Sequence, residues 1–293
     1  MNLIHRILSR WWARIAIFLV IEAFFVILFN LYYTVFFYYI IYLQVILVSI
    51  LIESGRKGGR FWTLGIRFDK WMLKDAGISA FLMISFSVFL FFLAITFNAD
   101  ISITTRAYYQ EGTISFFIVL VIFIHALNEE FLFRGIVFQA LLERFGATIT
   151  VFGASILFAV VHSFNPNYTA ISFINTFLVN ILLSVMYIQT RSLWQPIFFH
   201  FLWNFSLAVL LGSRVSGFVL AAPIIDLDLH ELPVWLFGGK YGLEGGLITT
   251  IAISVFLLIV LKWSSVSPYM ASRLFRMQYF QALIFNKAKL SKN

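Results

Sequence analysis

The chain has 293 residues, of which 61% are hydrophobic and only 12% are charged. Ordinary soluble domains carry roughly a quarter charged residues and under half apolar ones, so the composition excludes that class of protein. The sequence contains no cysteine, which excludes disulfides, thiol nucleophiles and cysteine-ligated metal sites.

Apolar runs of about 20 residues recur along the chain, and each is long enough to cross a bilayer core of about 30 Å as a helix. These runs do not alternate in polarity as the strands of a membrane β-barrel do. The sequence therefore predicts an all-α, polytopic transmembrane helical bundle of about eight spans. The predicted spans are about 12–30, 33–52, 75–97, 114–141, 147–163, 169–190, 193–212 and 246–262.

The placement of Lys and Arg predicts the orientation, because basic residues favour the cytoplasmic side of a membrane. With eight spans and both the N- and C-termini in the cytoplasm, most of the 21 basic residues fall on that side. The net charge of +8 then indicates orientation and contact with anionic lipid, and we expect no nucleic-acid partner. We predict one membrane-embedded domain over 1–293, with a basic cytoplasmic tail over 263–293. Over 213–245 we expect a plain connector, with a lid as the alternative.

A few ionisable side chains lie inside these apolar spans, where they are costly and usually face a bundle interior or water. They are Glu22, His125, Glu129, Glu130, Arg134, His162 and His200, and Asn204 is a neutral polar companion.

Helical spacing separates these residues into pairs. Glu130 and Arg134 are four residues apart, so they share a helix face and can form an ion pair with a structural role. Glu129 points about 100° away from Glu130 and needs a different partner. His200 and Asn204 are also four residues apart and point the same way.

The residue types allow three kinds of chemistry. A Glu beside a His can act as a general base on water, while a second His with an Asn can stabilise an oxyanion, which together hydrolyse a peptide bond. Two His and one Glu are also a catalytic zinc ligand set, here Glu129, His162 and His200. Acidic and His residues also form proton or ion relays.

The stretches "EEFLFR" (129–134), "FAVVH" (158–162) and "HFLWN" (200–204) resemble the three motifs of the CAAX protease and bacteriocin-processing family, EExxxR, FxxxH and HxxxN in that order. The similarity covers about 64–212. The resemblance implies an intramembrane glutamate endopeptidase that needs no cofactor, with Glu129 as general base, His162 as its partner, and His200 and Asn204 as the oxyanion hole. It implies that Glu130 and Arg134 support the site.

The resemblance also implies a peptide or a membrane-anchored, in some relatives prenylated, protein as substrate. Some relatives serve in bacteriocin immunity, so a non-catalytic membrane scaffold stays an alternative, as does the zinc protease. Together with the short loops, the family favours an integral protein of the bacterial plasma membrane.

Two features do not follow from the resemblance. His125 lies one helical turn before Glu129, where we expect a polar contact outside the catalytic set, and Glu22 has no evident partner. The predicted depths also disagree, because Glu129 and His162 lie roughly 21–23 Å from the inner ends of their spans and His200 only about 10 Å.

Overall fold

The computed structural model describes residues 3–31, 35–56, 59, 61–66, 68–97, 99–103, 112–220, 225–228 and 232–262. The predicted basic tail over 263–293 lies outside the described residues. The helices are α1 (Leu3–Leu8), α2 (Trp11–Leu31), α3 (Val35–Ser54), α4 (Lys70–Thr96), α5 (Gly112–Arg134), α6 (Ile136–His162), α7 (Ala170–Thr190), α8 (Trp194–Phe205), α9 (Val234–Phe237) and α10 (Leu247–Lys262).

The predicted helical membrane bundle is confirmed. By length and composition, four stretches of the described chain can cross a membrane: Trp11–Leu31, Lys70–Leu93, Phe116–His162 and Ala170–Thr190. Large apolar side chains such as Leu19 and Ile84 are 52% and 63% exposed, as expected for a surface that faces lipid. The eight passes and their orientation stay predictions.

The predicted span 114–141 is wrong at its end. Helix α5 ends at Arg134, and Gly135 separates it from α6, whose first part continues to Gly146. Gly146 has φ 78° and ψ 178°, a conformation that a glycine adopts without steric cost, so the chain turns there.

The two arms on either side of Gly146 form an antiparallel hairpin. Phe158, twelve residues after the turn, lies over Arg134, twelve residues before it, with the guanidinium carbon 5.6 Å from the ring centroid. The rings of Phe133 and Phe158 also contact edge to face at 4.7 Å. The hairpin therefore brings two of the three motifs to one level of the bundle.

Two other predicted bounds differ from the structure. Helix α4 begins at Lys70 rather than at 75, because the Asp69 carboxylate accepts a hydrogen bond from the Trp71 amide and caps the helix. The predicted span 193–212 consists of the short helix α8 followed by a π-helical turn, Ser206–Leu210.

The segments between helices contain a small antiparallel ribbon that the sequence did not predict. Strand β1 (Asp100–Ile103) pairs with β2 (Ile225–Asp228), with Asp100 opposite Asp228 and Ile103 opposite Ile225. The ribbon links the connection after α4 to the connection before α9.

Charged side chains join the first helices to the hairpin near Gly146. Arg14 of α2 is 1% exposed and binds the carboxylate of Glu143, and Arg56 donates to both Glu53 and Glu143 at 2.6 and 2.8 Å. Burial opposes the charge on Arg56, but the two carboxylates more than offset it and raise the pKa of Arg56. This network holds α2, α3 and α6 together at one end of the bundle.

Candidate active site

A cavity of about 220 Å³ lies between the hairpin, α7, α8 and α10. Its wall includes all four predicted catalytic residues, which are Glu129, His162, His200 and Asn204. They come from α5, α6 and α8, so only the folded bundle brings them together. Apolar neighbours such as Val179, Leu183 and Ile253 line the same cavity.

Glu129 lies between two histidines. Its Oε2 is 3.7 Å from Nε2 of His200, and its Oε1 is 3.7 Å from Nε2 of His125. His162 lies near enough to interact electrostatically with the Glu129 carboxylate. These distances exceed a direct hydrogen bond, and a gap of this size suits a bridging water.

The tautomer of His162 is determined by its own helix. Nδ1 lies 2.8 Å from the carbonyl oxygen of Phe158, which can only accept, so Nδ1 carries the hydrogen. In the neutral ring Nε2 is then an acceptor. The ring packs on Phe158 with a centroid distance of 4.1 Å, which fixes its orientation.

His200 forms a hydrogen bond with Glu130, which is itself paired with Arg134 as the sequence predicted. Nδ1 of His200 lies 2.9 Å from Oε1 of Glu130, and Nη1 of Arg134 lies 3.1 Å from the same oxygen. Both Glu130 and Arg134 have no solvent exposure. Because the carboxylate accepts from Nδ1, His200 can donate through Nε2 only when its ring is protonated, a state that the Glu130 charge stabilises.

A neutral polar residue of α7, Asn180, completes the support of the ion pair, and the sequence did not predict it. Asn180 accepts from Arg134 through both its side-chain oxygen and its carbonyl, and its amide donates to Ser155 at 3.0 Å. Asn180 is not ionisable, so the charged residues of the spans do not point to it. The signal in the sequence is an amide side chain within an apolar span.

The predicted difference in depth is explained by the start of α8. Ser192 and Leu193 are 1% and 0% exposed, and the Leu193 amide donates to the carbonyl of Gly65 at 3.0 Å. Helix α8 therefore begins at a buried position, beside the segment that contains Phe61–Leu64. Because of this start, fewer helical turns separate the beginning of α8 from His200 than separate the span ends from Glu129 and His162.

Of the two residues left without a role, His125 lines the cavity and contacts Glu129, while Glu22 does not line it. Gln44 of α3 donates a hydrogen bond to Glu22, which gives this carboxylate a structural partner. Among the residues that the structure describes, no group of three His, Asp or Glu side chains is arranged to hold a metal ion.

The segment between α8 and α10 forms one wall of the cavity, although we expected a plain connector there. Val215, Ser216, Phe218, Leu220 and Glu244 all line it. Glu244 is a second cavity carboxylate that the sequence analysis did not single out, since it lies in a Gly-rich stretch without helical or strand periodicity.

The fold and this site define the class as an integral membrane protein whose helices enclose a mostly apolar cavity with a few ionisable side chains in its wall. Residues 111–206, about a third of the chain, match the family model described as Type II CAAX prenyl endopeptidase Rce1-like. The match contains all three motifs and confirms the predicted resemblance, although it is shorter than the predicted 64–212. No curated protein and no solved structure matches the chain.

The family match supports the coarse function, a membrane endopeptidase and therefore a hydrolase that acts on a peptide or protein. The predicted integral membrane location agrees with the apolar helices.

Proposed function

We propose that this chain is an intramembrane endopeptidase in which Glu129 and His162 activate water and His200 with Asn204 stabilises the oxyanion. One observation carries the proposal: a single cavity inside the bundle is lined by these four side chains from three helices. The family match supplies independent support for the reaction class.

In the proposed reaction, Glu129 accepts a proton from a water that Nε2 of His162 also orients. The resulting hydroxide attacks the carbonyl carbon of the scissile peptide bond. Protonated His200 donates from Nε2, and Asn204 from its amide, to the oxygen that becomes negative in the transition state. The C–N bond then breaks, and the proton held by Glu129 passes to the leaving amine.

The substrate in this proposal is a membrane-associated or prenylated peptide, which reaches a cavity whose wall is mostly apolar. An apolar wall excludes bulk water from the polar reaction centre. Electrostatic interactions with the transition state are then stronger than they would be in water. The bacterial plasma membrane remains our proposed location.

The test compares purified wild type with Glu129→Gln on a panel of prenylated CAAX peptides and membrane-anchored peptides, in detergent. We expect the variant to lose activity by about 10²-fold or more, because the general base is removed while the shape is kept. Glu22→Gln is the matched control, because it neutralises a carboxylate in another membrane helix that does not line the cavity. It should cleave like wild type.

The same assay with a chelator distinguishes the zinc protease. Activity that persists after verified metal removal excludes zinc catalysis, whereas loss that zinc reverses favours Glu129, His162 and His200 as ligands. A folded wild type that cleaves no peptide of the panel would contradict the proposed function and favour a scaffold. A Glu129→Gln variant with full activity would contradict Glu129 as the general base.

A further inference from the structure

Glu244 places a second carboxylate in the cavity wall, outside the segment that matches the family model. Its Oε1 accepts a hydrogen bond from Nε1 of Trp203 at 2.7 Å, and its Oε2 accepts from the amide and the hydroxyl of Ser216. All of these donors are neutral. Among the residues that the structure describes, no Lys, Arg or His side chain forms an ion pair with Glu244.

The backbone around Glu244 is fixed as well. The side-chain amide of Asn175 donates to the carbonyls of Glu244 and Gly246 at 2.8 and 2.9 Å, and Thr250 donates to the Asn175 oxygen at 2.6 Å. Side chains of α7 and α10 therefore fix the backbone of Glu244, from which the carboxylate extends. A side chain so constrained can present its charge at a defined point of the cavity wall.

The position of Glu244 relative to the reaction centre follows from α8. Trp203, its hydrogen-bond donor, directly precedes Asn204 and lies three residues after His200, about 4.5 Å further along the helix axis. Glu244 thus lines the same cavity as His200 and Asn204 and is bound to the residue next to Asn204. A substrate bound in this cavity can contact both.

Among the residues that the structure describes, the phenol beside Glu244 carries no charge. Tyr241 is 1% exposed, and burial together with the neighbouring Glu244 raises the pKa of its phenol to about 12, so this group is neutral. Asn165, Thr176 and Ser216 contribute further neutral polar groups near the phenol. His125 and His200, which line the same cavity, contact Glu129.

We propose that Glu244 determines specificity by binding a positively charged substrate residue, a Lys or Arg side chain near the scissile bond. The proposal rests on the proposed function for the identity of the substrate as a peptide. It adds a charge preference that the family match does not supply. A cation that binds at this wall would exchange its hydration water for the Glu244 carboxylate and for the neutral acceptors around that carboxylate.

The test measures binding separately from cleavage. Fluorescent, N-terminally lipidated decapeptides of one parent sequence carry Lys, norleucine or Glu at one position at a time. Their binding to Glu129→Gln and to Glu129→Gln/Glu244→Gln protein is followed by fluorescence polarisation in detergent. In protein that contains Glu244, we expect the Lys peptide to bind about tenfold more tightly than the norleucine peptide at one or two positions, and the Glu peptide to bind more weakly than the norleucine peptide. In the Glu244→Gln protein both differences should disappear.

A third protein, Glu129→Gln/Glu22→Gln, is the matched control, because it neutralises a carboxylate that does not line the cavity. Its ratio of Lys to norleucine affinity should equal that of Glu129→Gln. Equal affinities for Lys and norleucine at every position, or the same change of ratio in the Glu22→Gln control, would overturn the proposal.

Cleavage of the same peptides by wild type separates the two proposals. Charge-selective binding without any cleavage rejects the endopeptidase but keeps the Glu244 site. Cleavage that depends on Glu129 but shows no charge preference in binding rejects the Glu244 site alone.

Discussion

Arg134 shows how a single buried residue supports the site without touching a substrate. Its guanidinium binds Glu130 and Asn180, and the Glu130 oxygen that it contacts also accepts from His200. The whole arrangement is shielded from solvent, so each charge depends on its partner for stabilisation. The ion pair thereby keeps His200 oriented toward the cavity.

At this scale we predict that Arg134→Met destabilises the protein by about 3–5 kcal/mol, because it leaves the Glu130 carboxylate buried without its counter-charge. The measurement is the free energy of unfolding in detergent micelles. The double variant Glu130→Gln/Arg134→Met should recover most of the loss, since it contains no uncompensated charge. Equal destabilisation of the single and double variants would contradict this explanation.

The hairpin of α5 and α6 is the element that assembles the site. Gly135 separates the two helices directly after Arg134, and Gly146 turns the chain so that Phe158 and His162 pack beside the first motif. Both interruptions fall at glycines, and each has a steric reason. At Gly135 a Cβ would lie 2.1 Å from the carbonyl oxygen of Phe131, which is backbone and cannot move aside cheaply.

We therefore predict that Gly135→Ala lowers the free energy of unfolding by more than about 1 kcal/mol and reduces peptide cleavage, because the first motif must shift. Gly153→Ala, within α6, is the matched control, since nothing lies within 4 Å of its Cβ position. That control should be neutral or stabilising by up to about 1 kcal/mol. Circular dichroism melts and the peptide assay, applied to both variants, measure the difference.

If Gly135→Ala retains both wild-type stability and wild-type cleavage, the helix break after Arg134 does not position the site.

In the whole molecule, the cavity and the charged network occupy different ends of the bundle. Arg14, Arg56, Glu53 and Glu143 join α2, α3 and the hairpin near Gly146. The segment that contains Ser216 and Glu244 closes the cavity at the other end of the hairpin arm. We predict that the two regions lie on opposite sides of the membrane, as a bundle with eight passes requires.

The absence of cysteine makes this topology directly testable by single-cysteine labelling. Ser9, Arg144 and Val219 are exposed, and we expect Ser9→Cys and Arg144→Cys to react from one side of the membrane and Val219→Cys from the other. The predicted orientation places the first pair in the cytoplasm. A membrane-impermeant maleimide applied to cells and to inverted vesicles distinguishes the two sides.

The cysteine-free parent serves as the unlabelled control in this experiment. Labelling of Ser9→Cys and Val219→Cys from the same side would contradict the odd number of passes that we predict between them. Labelling with the opposite orientation would retain the fold but exclude cytoplasmic termini.

The sequence predicted much of the site because helical periodicity acts locally. The spacing of Glu130 and Arg134 was enough to predict their ion pair, and the three motifs were enough to nominate the residues that line one cavity. Their catalytic roles stay predictions. The end of the fourth span could not be predicted, because Gly135 interrupts a segment that is apolar on both sides.

Composition and the spacing of polar residues along single helices determined the class of protein, the helical bundle and the residues of the candidate site. These features depend on transfer from water to lipid and on a fixed angle per residue, which are properties of each segment alone. Only the tertiary structure brought Asn180 to Arg134, started α8 inside the protein and placed Glu244 in the cavity wall. These contacts join residues far apart in sequence, and no local periodicity encodes the packing that creates them.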